Sequence, residues 1–158
     1  MKQVLVTTVL LVCSAMAAEA NDRIEKAQRF LKALETGDMA TAAPLMHTDI
    51  TFEDPTFSDR LHEGKEALLR IYAGYTAGAH NLKSQMTQAF ESNGTVVLDY
   101  MYYVEMDLKP GGAPKDRVSL MGRGLRVIGF KDGKIIRHID LADYGQVNAA
   151  IAALQAKE

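Results

Sequence analysis

Two dipeptides, Asn93-Gly94 and Asp132-Gly133, restrict what this chain can fold into more than any other feature. Each separates two long runs of strand-forming residues, 82–90 from 96–108 and 118–130 from 134–141. Asn-Gly and Asp-Gly are the preferred pairs for two-residue hairpin turns, because these residues tolerate positive φ at low cost. We therefore predict an antiparallel meander in the second half of the chain, with 110–114 as a loop within one sheet.

Helical patterns fill the first half of the chain. A capping-box pattern at Asp22 and Glu25 precedes an apolar stripe, and this helix is predicted to end at Gly37. The stripe consists of Ile24, Ala27, Leu31 and Leu34. Asp38 is predicted to cap a second, short helix that continues through 45–46.

A short strand at 50–53 and a third helix at 65–77 complete the pattern before the meander. Four residues of this helix are predicted to face the core: Leu68, Leu69, Tyr72 and Tyr75. A last helix is predicted over 146–154. Helices that precede a meandering sheet indicate an α+β fold, in which a curved sheet wrapped on helices leaves one open end as a cavity for a small molecule.

Residues 1–20 have the pattern of a signal peptide. Lys2 supplies a positive start, 4–12 are apolar, and the small residues of 15–20 offer cleavage before Asn21 or before Ala18. The apolar run is too short to cross a membrane as a stable helix, and the alternative is an N-terminal core helix. We expect a periplasmic or secreted protein that loses Cys13, its only cysteine, and has no membrane anchor after cleavage.

The remaining residues, 21–158, have the length of a single domain. The net charge of the whole sequence is −2, and neither sign is concentrated in runs. We therefore expect no nucleic-acid partner.

Two carboxylates are the main candidates for chemistry. Asp54 ends a strand in front of Pro55, and Asp140 lies late in the last predicted strand. An acid against an apolar wall can act as a general acid or base. The alternatives are that Asp54 is a turn residue and that Asp140 forms a buried ion pair with Arg123 or Arg126.

Side chains alternate between the two faces of a strand, and this alternation predicts which residues lie beside these acids. Ile136, His138 and Asp140 share one face, as do Arg123, Leu125 and Val127 on the preceding strand. We predict Asp54, Asp140, His138 and Arg123 as the catalytic residues. One of Tyr102 and Tyr103 is expected to face the pocket as a hydrogen-bond donor, and alternation does not select between them because a bulge would exchange them.

No metal or cofactor is expected. The four histidines are scattered, without the spacing that ligands on one element need. Gly111-Gly112 lies between strands instead of before a helix, and no serine stands in a nucleophile elbow. The expected partner is a small, hydrophobic ligand.

Four segments together resemble the nuclear transport factor 2-like superfamily, in particular its SnoaL-like and ketosteroid-isomerase-like branches. They are Ala27 to Asp38, Asp49 to Pro55, Gly64 to Ala67 and Asp132 to Asp140. The resemblance covers nearly all of 21–158. It implies a cone-shaped α+β domain, with three helices on a strongly curved mixed sheet, a deep apolar pocket and frequent dimerisation through the sheet.

The resemblance also implies roles for single residues. Asp54 matches the proton-transferring aspartate of ketosteroid isomerases, which are a worked example of a carboxylate base beside an oxyanion hole. The tyrosine that those enzymes carry on the first helix falls on Phe30, which has no hydroxyl, and their strand acid falls near 123–125, where no carboxylate stands. A steroid isomerase built in the usual way is therefore not expected.

Asp140 matches the acid–base aspartate of SnoaL-type cyclases and limonene-epoxide hydrolases. The hydrolases also use an Arg-x-Asp pair on a neighbouring strand, which 96–108 does not contain. We expect an exported, cofactor-free enzyme that uses carboxylate acid–base chemistry on a small, largely apolar molecule, as an isomerase, cyclase, dehydratase or hydrolase. The alternative is an exported binding protein without chemistry. The candidate substrate-binding residues are Phe30, Phe52, Tyr72, Tyr102 and Leu125, and the expected assembly is a homodimer.

The signal-peptide interpretation makes a direct prediction about exported protein. Its intact mass should correspond to a chain that begins at Asn21, or at Ala18 if the earlier site is used. Exported material that retains Met1 would contradict this interpretation.

Overall fold

One six-stranded sheet organises the protein. In the computed structural model, which describes residues 2–56, 58–107, 117–145, 148–149 and 152–153, the strands are β1 (Met46–Asp54), β2 (Ser58–Glu63), β3 (Ala79–Ser92), β4 (Thr95–Asp107), β5 (Arg117–Lys131) and β6 (Lys134–Ala142). Their order across the sheet is β2-β1-β6-β5-β4-β3, so the sheet is open. Among these described strands, β1 and β6 are the one pair that runs in parallel. The predicted α+β fold, with helices on a curved, mixed and mostly antiparallel sheet, is confirmed.

Both predicted hairpins are present. Ser92 pairs with Thr95, and Lys131 pairs with Lys134, so each turn has two residues. Asn93 and Asp132 have φ of 52° and 51°, and the glycine after each also has positive φ. Positive φ at both central residues gives the turn whose twist matches that of the flanking strands.

A bulge in the second hairpin determines which side chains face inward. Without it, the turn would pair Asp140 with Leu125. The register shifts by one residue between Gly129 and Phe130, where Ile136 is the extra residue of β6, and Asp140 instead pairs with Arg126. Residues paired across two strands share a face, so the bulge brings Arg126 to the side of Asp140.

Helices cover the inner face of the sheet. They are α1 (Lys2–Glu35), α2 (Met39–Ala42), a single 3₁₀ turn (Ala43–Leu45) and α3 (Lys65–Gly78). The predicted stripe of α1 lies in or against the core, and α3 buries Leu68 and Tyr72. They pack on apolar sheet residues that include Val96, Leu98 and Ile128.

The ends of several elements differ from the sequence-based expectation. Helix α1 continues through the predicted signal segment, so Asp22 and Glu25 lie inside it instead of at its start. Cleavage of this segment stays a prediction. No helix among the described residues is long and apolar enough to cross a membrane.

Residues 58–63, between the predicted strand and the predicted third helix, form strand β2, and β1 begins at Met46, where the second helix was predicted to end. The predicted cap is present, because Asp38 accepts a hydrogen bond from the Thr41 amide at 3.0 Å. The predicted loop at 110–114 lies outside the described residues, as does much of the predicted helix at 146–154.

Candidate active site

A cavity of about 500 Å³ opens between the helices and the inner face of the sheet. Its walls are mostly apolar and aromatic. Of the described residues, six phenylalanine and tyrosine side chains line it: Phe52, Tyr72, Tyr75, Tyr100, Tyr102 and Tyr144. The carboxylates that line it in the described structure are those of Glu35, Asp54, Asp107 and Asp140. Cavities of this kind, with a few polar groups in an apolar wall, are the usual form of small-molecule sites.

Asp140 lies at the buried end of the cavity, with 8% of its surface exposed. The Tyr100 hydroxyl donates a hydrogen bond to its Oδ1 at 2.6 Å. The Nε of Arg126 approaches its Oδ2 at 3.4 Å, and the Nη1 of the same arginine donates to Glu35 Oε1 at 2.5 Å. One guanidinium is therefore shared by two carboxylates, and the proposed alternative partner of Asp140, Arg126, is its partner in the structure.

The tyrosine and the arginine at this end keep their protons. Burial, and after it the Asp140 charge, raises the pKa of Tyr100 well above its usual range. Burial disfavours the charge of Arg126, but its neighbours together, with Asp140 contributing most among them, outweigh this effect and raise the arginine pKa. The Arg126 guanidinium also lies 4.0 Å from the centre of the Tyr100 ring, a favourable cation–π arrangement. At neutral pH the Tyr100 hydroxyl is thus a hydrogen-bond donor.

Asp54 forms a second carboxylate–tyrosine pair in the same cavity. Tyr144, just after β6, donates to its Oδ2 at 2.6 Å, and Thr56 donates to its Oδ1 at 2.8 Å. Thr56 in turn accepts a hydrogen bond from the Ala142 amide, so the turn after β1 is joined to the end of β6. Burial and the bond to Asp54 raise the pKa of Tyr144. Asp54 is therefore both a turn residue and a cavity residue.

Two glycines of β5 make room for the tyrosines that cross it. A Cβ atom at Gly124 would lie 2.6 Å from the Tyr100 hydroxyl, and one at Gly122 would lie 2.6 Å from that of Tyr102. The Tyr102 hydroxyl donates to the Asp143 carbonyl at 2.8 Å. The structure thus places Tyr102, and not Tyr103, on the cavity wall.

His138 lies behind the cavity wall, although we predicted it as catalytic. It is fully buried, is absent from the cavity lining, and neither ring nitrogen has a hydrogen-bond partner among the residues that the structure describes. The rings of Phe30, Phe52 and Tyr72 surround it, with centroids 5.1–5.9 Å away. Burial, with a contribution from the Arg126 charge, lowers the pKa of His138 to about 3.

Three other predicted site residues do not line the cavity. Arg123, whose side chain is 70% exposed, pairs with Asp99, and Leu125 is 42% exposed. Both lie on the outer face of the sheet because the bulge turns Arg126 inward, so their predicted orientation is wrong. Phe30 is fully buried in the core. Asp54, Asp140, Phe52, Tyr72 and Tyr102 do line the cavity.

The cavity also contains groups that sequence reasoning did not select as site residues. Glu35 ends α1, Tyr144 follows β6, and Tyr100 was not considered. Tyr100 is two residues before Tyr102 on β4, so strand alternation places both on the same face. This spacing was the local pattern that could have identified Tyr100. Among the described residues, no three His, Cys, Asp or Glu side chains gather as ligands for a metal ion.

Comparison with known proteins assigns the chain to a family. Residues 27–138 match the model of the SnoaL-like domain, and the chain belongs to this family. No curated protein sequence matches it.

Solved structures show the same fold at low sequence identity. A protein described as a SnoaL-like polyketide cyclase from Shewanella putrefaciens has a TM-score of 0.72 at 17% identity, over 83% of this chain and 96% of that one. An M. tuberculosis LEH-like epoxide hydrolase has a TM-score of 0.63 at 17% identity, over 89% and 99%. A protein with a ketosteroid isomerase-like fold from Catenulispora acidiphila has a TM-score of 0.61 at 17% identity, over 73% and 83%.

A larger residue at position 124 tests whether the absence of a side chain at Gly124 allows Tyr100 to reach Asp140. Gly124→Ala should displace Tyr100 from Asp140 and lower the free energy of unfolding by about 1–3 kcal/mol. Tyr100→Phe removes the same hydrogen bond, so the double variant should lose less than the sum of the single losses in urea denaturation. Gly74→Ala, in α3 with open space around its Cβ, is the control and should not destabilise. Full additivity would show that the two residues are not coupled.

His138, whose ring nitrogens find no partner in the described part of the chain, should make the protein sensitive to acid. Its folded-state pKa lies below the unfolded value of about 6.5, so the unfolded chain takes up the proton first as the pH falls. The His138 contribution to stability is complete above about pH 6.5 and is lost as the pH falls toward 3. His138→Leu should raise the free energy of unfolding at pH 7 by about 1–3 kcal/mol, since two unsatisfied nitrogens disappear, and should flatten this acid limb.

Urea denaturation from pH 4 to 8 measures both effects. His47→Leu, at a half-buried histidine of β1, is the control for removing a histidine elsewhere. A loss of stability at pH 7 in His138→Leu would mean that the imidazole has a compensating role.

Proposed function

We propose that this protein is an enzyme that transfers a proton on a small, largely apolar molecule, with Asp140 as the acid–base group and no cofactor. One observation supports this most strongly: Asp140 and Asp54 line the same apolar cavity, and each accepts a hydrogen bond from a tyrosine. Isomerisation, cyclisation, dehydration and hydrolysis all need such a positioned carboxylate.

The contacts of the two acids favour Asp140 as the reacting group. Both oxygens of Asp54 accept short hydrogen bonds, from Thr56 and Tyr144. Within the described part of the chain, Asp140 accepts one short bond, from Tyr100, and its Oδ2 has only the 3.4 Å contact to Arg126. Asp140 is also more buried than Asp54, so water competes less for it.

The solved relatives are consistent with this class of chemistry. One is described as a polyketide cyclase and another as an epoxide hydrolase. The second candidate function is a binding protein that keeps the cavity without chemistry. Phe30, which supplies no hydroxyl, and the pairing of Arg126 with two carboxylates favour it.

Amide substitutions test the proposed role of Asp140. Glu35 makes the shorter hydrogen bond to Arg126, at 2.5 Å against the 3.4 Å contact of Asp140, so its amide variant breaks the closest side-chain bond of this guanidinium. Asp140→Asn keeps an acceptor for Tyr100 and should change the free energy of unfolding by less than about 1 kcal/mol, whereas the matched control Glu35→Gln should cost about 3–5 kcal/mol. Asp54→Asn should also be tolerated. Thermal and urea denaturation measure these differences.

The functional arm of this test uses ketone and epoxide probes. α-Proton exchange of 2-tetralone in D₂O and diol formation from styrene oxide, both followed by NMR, should decrease in Asp140→Asn. Loss of as much stability in Asp140→Asn as in Glu35→Gln would make Asp140 a structural residue. Binding of the probes without either reaction would favour the binding protein.

Export to the periplasm or to the medium is part of the proposal. Its support is the leader pattern of 1–20 and the loss of the only cysteine on cleavage, which suits an oxidising compartment.

A homodimer through the outer face of the sheet is also proposed. Met101, Met121 and Leu125 lie on this face with 42–60% exposure. An apolar patch on a sheet face is typical of an interface. Light scattering at micromolar concentration should give the dimer mass, and Met121→Glu should shift it toward the monomer by placing a charge in the interface. A monomer mass for the parent protein at high concentration would contradict this assembly.

A further inference from the structure

Three polar side chains of β2 line the cavity where it meets solvent. They are Ser58, Arg60 and His62, and Ser58 and Arg60 are exposed. These three are the mouth residues of the cavity. They occupy alternate positions of an edge strand and therefore share one face of it. Leu61, on the opposite face, is 49% exposed. The cavity thus has a polar mouth in front of its largely apolar walls.

An irregularity in the pairing of β1 with β2 gives Arg60 its position. Phe52 pairs with His62, and Asp54 pairs with Ser58. Three residues of β2 therefore stand opposite one residue of β1, and Arg60 is the middle one of the three. Extra residues bend a strand and change the direction of its side chains, and bulges of this kind are frequent beside active sites.

The mouth residues have hydrogen-bond donors that the described part of the chain does not use. The Arg60 guanidinium has no ion pair and no side-chain hydrogen bond there. The Ser58 hydroxyl accepts a bond from the Arg60 amide at 3.2 Å, and its own proton has no acceptor among the described residues. The His62 ring stacks on Phe52 at 6.1 Å, without a hydrogen bond to a described residue. An imidazole has at least one N–H donor in either protonation state.

The carboxylate on the adjacent strand does not neutralise Arg60. Asp54 lies across from Ser58, but its two oxygens accept hydrogen bonds from Thr56 and Tyr144. In the described structure it forms no ion pair with Arg60. The mouth therefore holds one positive charge and two further donors, and a group that only accepts hydrogen bonds would satisfy all of them.

We propose that Arg60, with Ser58 and His62, binds a carboxylate, so that the substrate is a largely apolar molecule that carries one carboxylate group. This inference names the substrate class of the proposed enzyme and therefore rests on the proposed function. The planar guanidinium matches a carboxylate in geometry. A single negative charge fits better than the nearly double charge of a phosphate, because one cation stands here and Asp54 is on the adjacent strand.

This subsite would also determine the orientation of the substrate. Asp140 lies at the buried end of the cavity, whereas Arg60 is exposed at the mouth. A carboxylate bound at the mouth stays partly hydrated, so it avoids the full cost of removing a charge from water. The apolar part of the molecule then extends inward along the aromatic wall. The contact with Arg60 thus selects which end of the substrate reaches Asp140.

Three probes with the same apolar body and different charges test the inference. They are 2-naphthylacetate, 2-naphthylacetamide and 2-naphthylethylamine, and isothermal titration calorimetry on the full chain measures their dissociation constants. The parent protein should bind the carboxylate about tenfold more tightly than the amide. It should bind the amine less tightly than the carboxylate. Higher salt should reduce the preference for the carboxylate, because Arg60 is exposed and its charge is screened.

Substitutions of Arg60 show whether this preference comes from the mouth. Arg60→Gln should bring the ratio of the carboxylate and amide constants close to one. Arg60→Lys should keep part of the preference, since an ammonium group retains the charge without the planar fork. Arg29→Gln is the control, because Arg29 is an exposed arginine of α1 that is absent from the cavity lining, and it should leave the ratio unchanged.

The melting temperature of Arg60→Gln should equal that of the parent protein, because no side-chain bond to a described residue is lost. Equal binding of carboxylate and amide by the parent protein would overturn the inference. A preference that survives in Arg60→Gln, or tightest binding of the amine, would also overturn it.

Two comparisons separate this inference from the proposed function. A parent protein that converts 2-tetralone or styrene oxide but has no preference for the carboxylate would refute the subsite and leave the role of Asp140 intact. An Arg60-dependent preference without either reaction would refute the enzyme and leave the subsite as part of a binding protein. Asp140→Asn should keep the ratio within about threefold, because Asp140 lies at the other end of the cavity. A larger rise would place the ligand carboxylate beside Arg126 and overturn the inference.

Discussion

The guanidinium of Arg126 is the interaction on which the rest of the site depends. It joins the end of α1, through Glu35, to β6, through Asp140, and it lies on the ring of Tyr100 from β4. Removing charges from water is costly, and the cost is offset only when every charge has a close partner. Glu35 and Asp140 both lie against the Arg126 guanidinium, and the three groups together keep charge at the end of a cavity whose walls are mostly apolar.

The tyrosines surround these charges with neutral hydrogen-bond donors. Burial raises their pKa values, so they remain neutral donors beside carboxylates instead of becoming phenolates. In a low-dielectric cavity such hydrogen bonds are stronger than in water, and an unmade one is correspondingly expensive. The tyrosine hydroxyls thus hold the carboxylates in position without losing their protons. Asp140 accepts fewer short hydrogen bonds than Asp54.

Local sequence patterns were sufficient to predict the fold, but they were insufficient to predict which side chains of each strand face the cavity. Asn93-Gly94 and Asp132-Gly133 have few alternatives to a hairpin, so the meander was predictable. The bulge at Ile136 has no such signature, and its single extra residue exchanged Arg123 for Arg126. Glu35 comes from a helix end distant in sequence, so only tertiary packing brings it to Asp140. Strand alternation did predict that His138 and Asp140 share a face, but it cannot show that aromatic rings cover the histidine.

The site depends on the absence of side chains at Gly122 and Gly124. The path of two tyrosines across β5 exists because side-chain atoms are missing there. Any other residue at these positions would block the path, while the hairpins and the core would remain. In related chains, a larger residue at the position of Gly124 would therefore mark proteins that retain the cone and its cavity but hold the last-strand aspartate in a different way. The residue at this one position of β5 would then distinguish two groups of proteins that share the same fold.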